Sequence, residues 1–199
     1  MPTLSEPRIA ELLNHYVVTP PAILPELSLY LDLLLKWNAR TNLTAIRQPE
    51  EIVRRHFGES LFTARHLGDP DTLLDLGSGA GFPGLPIALL RPEIHVALAE
   101  SQSKKATFLR EAVRTLGVPN VEVWATRAES LPPDRRFHTV TLRAVDDMAA
   151  AIATAAPRVL HQLVLLTGVP PALPADFTSL QPIPIPNTDS TVLVRAVRG

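Results

Sequence analysis

Apolar residues along this chain change their spacing near residue 70. Before that point Ile23, Leu27, Tyr30, Leu31, Leu34 and Leu35 recur at helical intervals, and Glu50 to Leu67 repeats the pattern, as amphipathic helices require. Two or three helices are therefore expected ahead of the first strand. Between them, Trp37-Asn38-Ala39-Arg40-Thr41-Asn42-Leu43-Thr44-Ala45-Ile46 breaks the period with Asn and Thr, side chains that bond their own backbone instead of supporting helix. An ordered loop is expected there. From Thr72 onward short apolar runs alternate with helical stretches. The predicted strands are Thr72 to Leu76, Ile94 to Ala99, Val121 to Ala125, His138 to Leu142, Val159 to Leu166 and Thr191 to Ala196. Helices fill Ser103 to Leu116 and Asp146 to Ala156, with a short one after Gly84.

Several of these strands lack polar alternation, so helices should cover both sheet faces, as in a doubly wound α/β fold. The proline-heavy stretch from Pro170 to Pro186 should be irregular and join the last two strands as a loop or edge segment. The division expected is one domain over 1–199, with a helical N-terminal extension over 1–68 and a Rossmann-like, mostly parallel core over 69–199.

Composition narrows the chemistry. The chain has 199 residues, is 46% hydrophobic and carries 19 basic against 20 acidic residues. That is enough apolar material for one sizeable core, and so even a charge balance confines any nucleic-acid surface to a local patch. With no cysteine, disulfides, thiolate metal sites and a thiol nucleophile are excluded. No basic-then-apolar leader and no apolar run of membrane length is visible, so a soluble cytoplasmic protein, away from membranes, is expected.

The most informative segment is Asp75-Leu76-Gly77-Ser78-Gly79-Ala80-Gly81-Phe82-Pro83-Gly84, between a predicted strand and a predicted helix. Such glycines let the chain turn sharply and bring main-chain N–H groups against a nucleotide-like ligand. Its G-x-G-x-G spacing departs from the G-x-G-x-x-G of dinucleotide folds, whose third glycine serves packing beside a pyrophosphate. S-adenosyl-L-methionine, which has none, suits the tighter loop. Glu100, closing the second strand, is placed to accept hydrogen bonds from ribose hydroxyls. Asp75 either faces the cofactor's amino group or ties down the loop.

Four segments resemble the glucose-inhibited division protein B family, the small-subunit (16S) ribosomal RNA guanine-N7 methyltransferases also called RsmG: Trp37-Asn38 with Asn42-Leu43-Thr44-Ala45-Ile46, the loop from Asp75 to Gly84, Arg127-Ala128-Glu129, and Arg143-Ala144. The likeness runs from about residue 25 to 170. It implies that Gly77 and Phe82 line the cofactor while Ser78 and Gly79 shape the loop. Glu100 then holds the ribose, Ala128 and Glu129 border the adenine, and Arg143 stands at the active-site mouth as the catalytic residue. It also implies small-subunit ribosomal RNA or the 30S subunit as partner; the chain is taken as a monomer. Three positions depart from the family's pattern: Leu142 where a serine is usual, Thr167-Gly168 for lysine-glycine, and Glu59 for an aspartate.

Guanine N7 has a lone pair and no proton, so the reaction needs alignment more than a general base. Arg143 can supply it through guanine O6, a phosphate or the cofactor's carboxylate; alternatively it forms a salt bridge with Asp146 or Asp147. Candidate RNA-facing cations are Arg40, Arg47, Arg54, Arg55, Lys104, Lys105, Arg110 and Arg127, with Lys104 and Lys105 nearest the pocket. Phe82 either presses on the cofactor, stacks on a base or packs the loop. His56 and His138 are read as structural or RNA-facing, with no metal implied. Alternatives are a methyltransferase for a small molecule or protein, a dehydrogenase, and a non-catalytic RNA-binding relative.

Overall fold

The computed structural model describes residues 2–127 and 130–199. Ala128 and Glu129, expected to border the adenine, lie outside the described residues.

Three helices come first: α1 (Glu6–Leu13), α2 (Leu24–Asn38) and α3. The third starts as α-helix over Pro49–Glu51, widens to a π-helix over Ile52–Gly58 and returns to α-helix over Glu59–Arg65. Strands and helices then alternate: β1 (Thr72–Leu76), α4 (Gly84–Leu90), β2 (His95–Ala99), α5 (Ser103–Leu116), β3 (Val121–Trp124), β4 (Phe137–Arg143), α6 (Met148–Ala155) and β5 (Val159–Thr167). Short β6 (Phe177–Ser179) and β7 (Ile183–Pro184) precede β8 (Val192–Arg198).

The strand order is β3-β2-β1-β4-β5-β8-β6, with β7 also paired to β8. The first five of these strands run parallel and β8 antiparallel. The expected strands all form, with ends displaced by a residue or two. The stretch from Pro170 to Pro186 pairs only at the sheet edge, through β6 and β7, where proline's missing N–H is tolerated.

Side chains alternate across a strand, and here the alternation separates two cores. Leu73, Val96, Leu98, Val164 and Leu193 face one side, with the N-terminal helices, α4 and α5. Leu74, Leu76, Val140, Leu142, Leu163 and Leu165 face the other, against Ile152 and Ala155 of α6. The N-terminal helices thus share a sheet face with α4 and α5, and α2 presses on the glycine loop between them. Tyr30, fully buried, stacks on Phe57 at 5.2 Å and Phe82 at 5.3 Å, and its hydroxyl donates to the Ala80 carbonyl.

Strand order reverses between β1 and β4, where open α/β sheets leave a crevice at the carboxyl ends. The turn into α4 is packed tightly at its far end. A Cβ on Gly84 would lie 2.3 Å from Leu98 Cδ2 and 2.8 Å from Asp75 Oδ2. Gly84→Ala should therefore lower stability by about 1–3 kcal/mol despite alanine's better helix propensity, measured by urea unfolding; an unchanged or raised midpoint would show that the packing yields.

Candidate active site

Two adjoining cavities open at the carboxyl ends of the parallel strands. The smaller, about 420 Å³, is bordered by Gly77, Glu100, Thr126, Arg127 and Ala150. The larger, about 650 Å³, is bordered by Thr44, His56, Phe82, Lys105 and Arg143. Gly77, Glu100, Ser101, Val145 and Asp146 line both.

The loop between β1 and α4 is held from several sides. Asp75, 1% exposed, accepts from the Gly84 N–H at 3.0 Å and from the Thr141 hydroxyl at 2.9 Å. Burial raises its pKa to about 6, against the lowering effect of those hydrogen bonds. Of the two roles open to Asp75, the structure gives the tie, since one carboxylate oxygen takes the Gly84 N–H at the end of the loop and the other the Thr141 hydroxyl on the neighbouring β4. Ser78 Oγ donates to the Asp75 carbonyl at 2.7 Å.

The main-chain amides of the loop are less available than the sequence suggested. Those of Gly77 and Ser78 donate to the Ala99 carbonyl, those of Gly81 and Phe82 to the Ser78 carbonyl, and that of Gly79 to Glu100 Oε2 at 2.9 Å. The loop's contribution is consequently space more than donors. Gly77 has φ +76°, and a Cβ there would meet nothing within 4 Å, leaving an unfilled cradle where the two cavities join.

Glu100 faces this cradle, 6% exposed. Oε2 takes the Gly79 N–H, and Oε1 takes the Gln102 N–H at 2.7 Å, just ahead of α5. A carboxylate has about four acceptor positions; two remain for a ligand's hydroxyls. Phe82 packs the loop: it is 6% exposed, stacked on His56 at 4.7 Å and on Tyr30, with no room for a base against its face.

Arg143, at the end of β4, pairs with neither Asp146 nor Asp147. Its guanidinium bonds Glu59 Oε2 at 2.9 Å, the Arg55 carbonyl at 3.2 Å and His56 Nδ1 at 3.0 Å. Asp147 instead caps α6 through the Ala150 N–H. Glu59, 2% exposed, also accepts from Arg55 Nε at 2.7 Å, so it lies between two guanidinium groups. Burial, with the charges of Arg143 and Arg55, lowers the His56 pKa to about 3, and the ring is neutral. A guanidinium only donates; Nδ1 is therefore an acceptor, and Nε2 donates to Thr44 Oγ1 at 2.7 Å.

From the sequence His56 is structural or RNA-facing, Glu59 is only a departure from the family's pattern, and Thr44 is only part of a motif. The structure brings all three to Arg143. A π-helical turn, of a kind rare in general and concentrated at functional positions, carries His56 and precedes Glu59; nothing in local residue preference announces it. Thr44 is positioned by Asn38, whose Oδ1 accepts the Leu43 and Thr44 N–H groups at 2.9 and 3.1 Å.

Three of the eight candidate RNA-facing cations are engaged internally. Arg47 donates to the Asn38 carbonyl and to Asn42, Arg54 pairs with Glu50, and Arg55 pairs with Glu59. Arg40, Lys104, Lys105, Arg110 and Arg127 form no salt bridge among the described residues. Among those residues, no helix is long and apolar enough to cross a membrane.

Comparison with known proteins follows the same line. The family model described as rRNA small subunit methyltransferase G matches residues 23–169. A ribosomal RNA small subunit methyltransferase G from Xanthomonas euvesicatoria is 41% identical over 169 residues, covering 80% of this chain and 79% of that protein. One of the same name from Chromobacterium violaceum is 48% identical over 120 residues, 60% of this chain but only 57% of its own length. In fold, the chain is similar to a magnesium protoporphyrin IX methyltransferase from Synechocystis crystallised with bound SAM. That match has a TM-score of 0.63 at 14% identity and covers 85% of this chain and 97% of the other. By the extent of these matches, the chain belongs to the rRNA small subunit methyltransferase G family.

Proposed function

We propose that this chain transfers the methyl group of S-adenosyl-L-methionine to N7 of a guanine in small-subunit ribosomal RNA. The observation that carries the reading is the Gly77 cradle, faced by a carboxylate with free acceptor positions and continuous with a second cavity edged by Arg143 and Thr44. Family membership supports the RNA acceptor. The reading takes the chain as a cytoplasmic monomer acting on ribosomal RNA or on the 30S subunit.

The residues present suit that cofactor. Glu100 accepts from the ribose hydroxyls, Gly77 leaves room beside them, and the smaller cavity beyond Glu100 has the apolar Ala150 and Ala151 for an adenine to lie against. Arg143 is fixed through Nε and Nη2, which leaves Nη1 to donate to the cofactor's carboxylate. When bound, the cofactor supplies a methyl group on a cationic sulfur; transfer to N7 leaves a neutral thioether and a cationic base, with no proton to remove. The protein's contribution is accordingly alignment. Glu59 and the neutral His56 lock Arg143 in place, and Lys105, an uncommitted cation beside the larger cavity, suits an RNA phosphate.

By titration calorimetry, adenosylhomocysteine should bind with a dissociation constant of about 1 μM to 1 mM, and Glu100→Gln should weaken it about tenfold to a hundredfold. Folded protein that gives no heat, or a Glu100→Gln variant that binds as wild type, removes the assignment. Tritiated cofactor should label N7 of a guanine in small-subunit rRNA from cells lacking the family's enzyme; label found only in protein or small molecules contradicts the reading. The rate should be level from about pH 7 to 9, because N7 needs no base and His56 binds a proton only near pH 3. A decline should begin below about pH 6, where Asp75 takes up its proton and ceases to be a charged acceptor for the loop.

A further inference from the structure

The hydrogen-bond directions around His56 fix the one at Thr44. Because Arg143 donates to Nδ1, His56 Nε2 bears the hydrogen and donates it to Thr44 Oγ1 at 2.7 Å. The Ile46 N–H donates to the same oxygen at 3.2 Å. A hydroxyl has two lone pairs and one hydrogen. Both lone pairs are occupied, so the only capacity left is donation, and no acceptor among the described residues takes that hydrogen. Thr44 lines the larger cavity together with His56 and Arg143.

We propose that Thr44 is a specificity-determining and positioning residue whose hydroxyl donates to O6 of the target guanine, holding N7 in line for methylation. The proposal rests on the reading of the chain as a guanine-N7 methyltransferase and assigns the contact that recognises the base. Guanine presents two acceptors on this edge, O6 and N7, whereas adenine presents an amino donor in place of O6. A site that offers only a donor accepts the first and repels the second. A guanidinium across the same edge would bind both acceptors and occupy the lone pair that must attack. One hydroxyl hydrogen can hold O6 and leave N7 free. The relay from Glu59 through Arg143 and His56 sets this polarity: each member is held by the one before it, and the free hydrogen emerges at the end facing the substrate cavity.

The test compares wild type, Thr44→Val and Thr44→Ser on small-subunit rRNA reconstituted into subunits. The target position carries either guanine or 2-aminopurine, which keeps N7 and lacks the oxygen at O6. On guanine, Thr44→Val should lower methyl transfer about tenfold to a hundredfold, Thr44→Ser should restore most of it, and both should bind adenosylhomocysteine as wild type does. On 2-aminopurine, wild type and Thr44→Val should be equally slow, because the acceptor that distinguishes them is gone. Equal rates for wild type and Thr44→Val on guanine, or the same ratio on both bases, overturn the assignment of Thr44 while leaving the methyltransferase reading in place. Failure of wild type to methylate any guanine overturns both.

Discussion

Asp75, Glu100 and Tyr30 all direct polar groups at the main chain of one turn, and the site depends on their doing so. Asp75 takes the Gly84 N–H from beneath, Glu100 takes the Gly79 N–H from the neighbouring strand, and Tyr30 reaches over from α2 to the Ala80 carbonyl. A turn of glycines has little conformational preference of its own. Here three elements far apart in sequence define its path, and a buried carboxylate with a raised pKa is retained to do it. The N-terminal helices are in this sense part of the loop's support, since Tyr30 belongs to α2 and stacks on Phe82 within the loop.

The same constraint explains why the turn's amides serve the protein first. With Gly77, Ser78 and Gly79 bonded to Ala99 and Glu100, the turn presents to a ligand room beside Gly77 and a carboxylate at its edge. Glu100 closes the loop with one set of acceptor positions and, in the proposed function, offers the other to a ribose. The roles in the larger cavity divide similarly: Glu59 and His56 fix one side of Arg143, and what remains of Arg143 and Thr44 faces the ligand.

Much of the architecture was legible because it is written in local periodicity. Helix α5 has the expected bounds, and β1 does too, since a clean change from helical to strand spacing marks each. The glycine loop and Glu100 were legible from order alone: strand, turn, helix, strand, acid. The Arg143 partner was not. Asp146 and Asp147 are near in sequence, yet the bond goes to Glu59, 84 positions away, brought there by the packing of α3 against the sheet. The tautomer of His56 and the free hydrogen of Thr44 depend on that long-range pairing, so no reading of residues in order reaches them. The loop's internal amide bonding was likewise invisible, because it depends on which carbonyls the neighbouring strand presents.

A crystal structure of the chain with adenosylhomocysteine measures this division of roles directly. Both ribose hydroxyls should lie on the Glu100 carboxylate, the adenine in the smaller cavity, and the sulfur should point into the larger one toward Arg143 and Thr44. A nucleoside bound elsewhere, or one at this place with Glu100 turned away from the sugar, would contradict it.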